Sequence, residues 1–352
     1  MNKTGAPASP TSPPADLGIA PADHWVSVVI PIHSCRATIR QALEGLHRQK
    51  VPARCEIVFV HDFIKDDTLE IIKSHPIARE WDFLEIKDHP GRGLAKAYNL
   101  GWRAARSAHV LFMHPDCYPV ADDALLSMMQ GLEWNSAVAA KPLVGIPQDD
   151  WAAMSFWDKV TSSQYCHAKP DHNLVGKFDL YRREVLAELG GFDEVHFFSA
   201  AEDADMNERL LAIGKISAVD TLVIHAHQHP PNARFKSVLR KHAQVGEGNG
   251  AMFRKYWHST NFLRRAWTIV GVNLLKLVLL VGIFIPPVSL YALALMLLLA
   301  AYYGRWAMLS RDWRVVLVPF AVALMFAVNA VAMVRGFVLG RQSFHYAKRT
   351  KS

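Results

Sequence analysis

Short β-branched apolar runs alternate with stretches of helical periodicity from Val26 to Ala226, and long unbroken apolar stretches follow from Ala266 onward. Val26–Ile30 (VSVVI) ends at Pro31 and has the composition of a strand buried on both faces. Ile39, Leu43 and Leu46 then recur at helical spacing, predicting a helix over 37–49. The alternation continues with a strand over 56–60, a helix over 67–73, a strand over 83–86, a helix over 93–105 and a strand over 109–113. Such an order predicts an α/β domain built on a doubly wound parallel sheet, with ligands gathered beyond the carboxyl ends of the strands. After Asp122 the pattern loosens. Strands are expected over 137–143, 178–181 and 222–226, and helices over 183–189 and, beyond the Gly190-Gly191 break, over 202–213.

The apolar stretches change the picture. Between Ala266 and Gly304 the only charge is Lys276, and Val315–Val334 has none. About 20 apolar residues suffice to cross a bilayer core. Segments 266–285, 288–303 and 315–334 are therefore candidate spans, separated by Pro286-Pro287 and a polar loop over 305–314. Three spans would leave the basic end (Arg341, Lys348, Arg349, Lys351) on the side opposite the globular domain, against the positive-inside tendency. One segment is then expected to be re-entrant or interfacial, which leaves two to three spans. The expected organisation is a Pro-rich disordered lead-in over 1–23, a catalytic domain over 24–230, a basic juxtamembrane helical region over 231–265, a membrane region over 266–340 and a basic tail over 341–352.

Residues 1–23 have no apolar core of the kind a cleaved signal peptide needs. The formal charge is +7, and eight Lys or Arg between His229 and Arg265 face one acid, Glu247. A cationic run beside an apolar segment suits an anionic cytoplasmic leaflet, with the domain inside the cell. No aromatic–basic motif accompanies it, so nucleic acid is not an expected partner. Cys35, Cys55, Cys117 and Cys166 are far apart, form no metal-type pair, and are expected as free thiols.

Polar residues just past the strands carry the candidate chemistry. Asp62 follows the second strand and could accept hydrogen bonds from a nucleobase or ribose, whereas Asp66 suits a helix cap. Asp116, in His114-Pro115-Asp116, follows the fourth strand, where a hard oxygen ligand could hold Mg²⁺ or Mn²⁺. Glu202-Asp203 opens a helix, either as simple capping acids or with one carboxylate as a general base. His225, His227 and His229 follow the last strand as possible ligands.

The ordered set VSVVIP (26–31), EIVFVHD (56–62), Gly93 through Asn99-Leu100-Gly101, VLFMHPD (110–116), GGFDE (190–194) and Glu202-Asp203 resembles the family 2 glycosyltransferases of GT-A fold. The resemblance covers residues 25–230. It implies that Pro31 and Asp62 line a nucleoside pocket and that Lys96 and Asp116 contact the donor. It further implies that Asp116 with His225 or His227 binds a divalent cation, Mg²⁺ or Mn²⁺, and that Asp203, beside Glu202, is the catalytic base. The implied reaction is an inverting transfer from a nucleotide-sugar donor to a membrane-associated, lipid-linked acceptor. A catalytically inactive membrane scaffold is the alternative. The sequence departs from the family pattern at His61, His114 and Tyr98, and no Gln-x-x-Arg-Trp segment is present, which argues against a processive polysaccharide synthase.

Overall fold

The computed structural model describes residues 24–61, 64–87, 93–134, 136–145, 151, 154–160, 171–172, 174, 176–226 and 235–343. One mixed sheet organises the first part of the chain. Strand β1 (Ser27–Ile32) pairs in parallel with β2 (Glu56–His61) and β4 (His109–Phe112), and β2 pairs in parallel with β3 (Asp82–Lys87). Beyond β4 the strands are β5 (Cys117–Pro119), β6 (Ala139–Gly145), β7 (Asp171–His172), β8 (Asp179–Arg182) and β9 (Ile216–His225). The sheet order is β3-β2-β1-β4-β8-β6-β9-β5, with β7 on β6.

The expectation of a parallel sheet holds for β1 to β4 and for the pairing of β6 with β9, and fails at the other pairings. Strand β8 runs antiparallel to both β4 and β6, and β5 runs antiparallel to β9. An apolar run specifies a strand but not its direction. Direction follows from the connection, and helical crossovers that enforce parallel pairing cease to alternate regularly with strands after β4.

Helices cover both faces of the sheet, which is why its central strands are apolar throughout. One face carries α1 (Ile39–His47), α2 (Thr68–Ser74) and α4 (Ala124–Trp134), with Ile30, Phe59, Leu43, Leu125 and Met128 in the shared core. The other carries α3 (Leu94–Ala104), α5 (Arg183–Glu188) and α6 (Glu202–Ile213), around Val29, Phe112, Tyr98, Leu186 and Met206. Gly101 lets α3 lie directly on β1, since a Cβ there would strike the Val29 side chain. Helix α4 was not foreseen, although Leu125, Met128, Met129 and Leu132 are buried at helical spacing.

The remaining helices are α7 (Phe235–Tyr256), α8 (Thr260–Gly282), α9 (Ser289–Met308) and α10 (Val318–Leu339). Three segments, 260–282, 289–308 and 313–339, are long and apolar enough to cross a membrane. Arg305 lies inside α9, so the polar connection is shorter than the expected 305–314.

The basic helix α7 is packed, not free. Gly246 and Gly250 press against the backbone of α10 at Asn329 and Met333, and Gly336 of α10 presses against the Glu247 carbonyl. Small residues at i and i+4 allow two helices this close an approach. Asn329 Nδ2 donates to the His242 carbonyl at 3.1 Å. Glu247, 2% exposed, accepts from the Ser343 amide at 2.9 Å and from the Ser343 hydroxyl, with Arg335 Nε 3.4 Å away.

Candidate active site

The sheet's carboxyl edge assembles two groups of polar side chains. The first hangs on the short ribbon of β5 and β9, where Cys117 sits opposite His225. The Ala226 amide donates to the Asp116 carbonyl at 2.8 Å and extends the ribbon by one bond. His225 Nε2 lies 3.2 Å from Asp116 Oδ2, His114 Nδ1 lies 3.9 Å from Asp116 Oδ1, and Cys117 Sγ lies 3.7 Å from the same oxygen. One ligand atom from each of these four residues falls within 4.8 Å of all the others.

The group fits a divalent cation. His114 Nε2 is buried and has no hydrogen-bond partner among the described residues. Burial pushes the His114 imidazole down to about 3, so it is neutral and keeps a lone pair to offer. Two imidazoles and a carboxylate suit Mn²⁺ and other borderline divalent ions. The described cysteines form no pair with one another, yet the Cys117 thiol adjoins this group. Cys35, Cys55 and Cys117 are free thiols, and Cys166 lies outside the described residues. Burial pushes Cys35 and Cys55 up to about 12, which makes both unreactive.

The second group opens α6. Ala201, just before it, holds a left-handed backbone at φ 69°. Glu202 is buried, and its Oε2 has no partner among the described residues. Its carboxyl is pushed up, by burial first and by the adjacent Asp203 charge second. Asp203 is half-buried, and its Oδ1 accepts from the Ala204 amide at 2.7 Å. Burial raises its pKa too, opposed by that hydrogen bond and by Lys177 and Lys241. The same two lysines act electrostatically on His114, so both groups share one electrostatic environment. Tyr98 stacks on His114 with ring centroids 6.4 Å apart, and it also feels the charges of Glu202 and Asp203. Asp205 is committed elsewhere, accepting from Arg209 Nε at 2.8 Å, Lys255 Nζ at 2.5 Å and Tyr256 at 2.8 Å. The bonds from Lys255 and Tyr256 fasten α6 to α7.

Of the remaining candidates, Pro31 lies half-buried in β1 opposite Val60. Lys96, in the first turn of α3, has its ammonium 3.4 Å from Glu194, which also accepts from Asn99 at 2.6 Å. Asp62 and His227 lie outside the described residues. Sequence reasoning did not count His114 among the ligands and gave Cys117, Lys177 and Lys241 no part in the site. Adjacency to Asp116 was the available signal for Cys117, and the two lysines carry none.

Residues 27–190 match the family model described as glycosyl transferase family 2. This part of the chain is thus similar to the family 2 glycosyltransferases. Among solved structures it is similar to the mannosyltransferase PcManGT from Pyrobaculum calidifontis in complex with GDP-Man and Mn²⁺. That likeness has 18% identity and a TM-score of 0.54 over 91% of this chain and 90% of that one. S. aureus TarS 1–349 in complex with UDP-GlcNAc matches at 16% identity and a TM-score of 0.49, over 90% of this chain and 92% of that one. No curated protein matches the sequence significantly. The chain therefore has the expected GT-A fold, followed by helices able to cross a membrane.

Proposed function

We propose that this chain moves a sugar from a nucleotide-sugar donor to a lipid-linked acceptor at a membrane, inverting the anomeric carbon. The observation that carries this reading is the His114–Asp116–His225 group at one strand end and the Glu202–Asp203 pair at the start of α6, with Lys177 and Lys241 acting electrostatically on both. In the proposed assignment His114, Asp116 and His225 hold Mn²⁺ or Mg²⁺, with His227 a further candidate, and Pro31, Asp62 and Lys96 serve the donor. A bound cation would offset negative charge on the departing nucleoside diphosphate. Asp203 takes the proton from the acceptor hydroxyl as its oxygen bonds to the anomeric carbon. The bond from that carbon to the diphosphate breaks, and its electron pair leaves with the nucleotide. A single displacement of this kind inverts the centre.

The membrane arrangement rests on the ends of the helices. The start of α8 packs on the catalytic domain, where Phe262 joins Phe197 and Arg265 pairs with Glu208. Arg314, before α10, lies 4.6 Å over the Phe156 ring, and Gln342, after α10, is hydrogen-bonded to His196. A chain that leaves and returns to one side crosses an even number of times. We assign the crossings to α8 and α9 and place α10 beside α7 on the cytoplasmic side. Arg311, Arg314 and Arg341 then lie inside with the basic helix, as the positive-inside tendency favours.

The test is nucleotide release from a panel of UDP-, GDP- and dTDP-sugars by the full chain in lipid, with and without a polyprenyl phosphate acceptor. Asp203→Asn should keep donor binding and lower turnover by roughly 10²-fold or more. Unchanged turnover in that variant rejects the base. Equal transfer to a fully water-soluble acceptor rejects the lipid-linked one.

A further inference from the structure

The loop that presents Glu202 and Asp203 is held from an unexpected direction. Gln342 comes just after α10 and the αL residue Gly340, yet its side chain is fully buried. Its Oε1 accepts from the Phe198 amide at 2.9 Å and the Ser199 amide at 3.1 Å. Its own amide donates to the His196 carbonyl at 2.8 Å, and its Nε2 donates to the Gln244 carbonyl at 3.2 Å. Gln244 completes the circuit, since its Nε2 donates to the Ser199 carbonyl at 3.1 Å and to the Ser199 hydroxyl. From the other side the Phe198 carbonyl accepts from the Leu94 amide at 2.6 Å, at the start of α3. Gly248 of α7 closes on the same loop, for a Cβ there would lie 2.9 Å from the Ala200 carbonyl oxygen.

Apart from the Gln342–Gln244 bond, each of these contacts acts within a few residues of Ala201. A non-glycine residue in the left-handed region persists only where its surroundings over-determine it. That backbone in turn directs the first turn of α6 and both carboxylates.

We propose that Gln342 is a positioning residue for the transferase reaction. By gathering the 196–199 peptide groups against α7, it sets the placement of Glu202 and Asp203, so the apolar C-terminal helix and the active site are one mechanical unit. This rests on Asp203 acting as the base. A displacement of about 1 Å at such a site lowers turnover by up to roughly 10²-fold.

The test uses the full chain in lipid. Gln342→Met fills the same space but offers no acceptor to the Phe198 and Ser199 amides. Ser343→Ala removes a bond to Glu247 and none to the loop. Hydrogen exchange at 196–201 should rise in Gln342→Met and stay unchanged in Ser343→Ala. With the sugar nucleotide selected by the panel, Gln342→Met should lower kcat by roughly 10-fold or more, with the donor KM nearly constant, and Ser343→Ala should keep kcat. Unchanged exchange, or faster exchange with normal kcat, overturns the proposal. An equal loss of kcat in both variants makes Gln342 merely structural and also overturns it. Asp203→Asn, assayed alongside, separates the two readings: full turnover there removes the base assignment, whatever Gln342→Met does.

Discussion

Gly250→Ala tests the seam between α7 and α10 directly. A Cβ at Gly250 would lie 2.7 Å from the Phe337 amide nitrogen and closer still to the Met333 carbonyl oxygen. Real Cβ atoms essentially never come within 3.0 Å of another heavy atom. Both obstacles are backbone, so no side chain can rotate aside and the helices must part, by roughly 1 Å. Overpacking of this kind costs about 1–3 kcal/mol, and the rigid neighbours put this case at the upper end. At about 3 kcal/mol, a chain of this size should unfold about 4 °C lower. Gly271→Ala in α8 is the matched control, because a Cβ there meets nothing within 4 Å. It should be neutral or stabilising by up to about 1 kcal/mol, the helix preference of alanine over glycine. Tryptophan fluorescence during thermal unfolding in lipid nanodiscs reads both variants. Equal melting temperatures for the two would refute the close backbone contact and, with it, the integration of α10 into the catalytic unit.

Asp116→Ala should abolish Mn²⁺ binding measured by calorimetry and weaken donor affinity only when the ion is present; full activity after chelation would reject the cation. Glu202 has a folded-state pKa above its ordinary value of 4.5, so the stability from its neutral form is complete below pH 4.5 and is lost as pH rises through about 8. Glu202→Gln, always neutral, should therefore melt higher than the native chain at alkaline pH, with the gap closing toward about pH 5; a gap independent of pH would contradict the burial argument. Single cysteines at Ser289 and Arg311, in a background without the native thiols, should react with an impermeant maleimide from opposite sides of a sealed vesicle. Labelling from one side would exclude the α8–α9 crossing.

Much of the catalytic domain was legible because its strands are continuous apolar runs. Val28, Val29, Ile57, Val58, Leu111 and Phe112 are all completely buried, as residues covered on both faces must be. What escaped is what composition does not encode. Strand β5 is three residues long and has no pattern of its own. Strand β9 starts six residues earlier than expected because Ser217, Val219, Thr221 and Val223 are buried alternately with more exposed neighbours, a period-two signal carried partly by polar residues. The positions of Asp116 and Glu202-Asp203 beyond a strand and at a helix start followed from order along the chain. His225 beside Asp116 was implied only by the family resemblance, and the place of Cys117 opposite it was not foreseen, since it depends on a pairing between residues 108 positions apart. Helix α7 drew attention through its charges, while Gly246 and Gly250, which decide its packing, resembled mere weak helix formers.

The β5–β9 ribbon gives the proposed cation site a role as a gauge of folding fidelity. Side chains alternate along a strand, so slipping the edge strand β5 by one residue along β9 would turn Cys117 to the opposite face and carry Asp116 out of line with His225, while β9 stays paired with β6. The aligned pairs Cys117–His225, Tyr118–Ile224 and Pro119–Val223 are few, and so offer little resistance to such a slip by themselves. An ion held between Asp116 and His225 would bind only the native alignment and would draw the population toward it by mass action. Chains with β5 misaligned should then keep a sound core and lose affinity for metal, so they could be counted by titrating the ion.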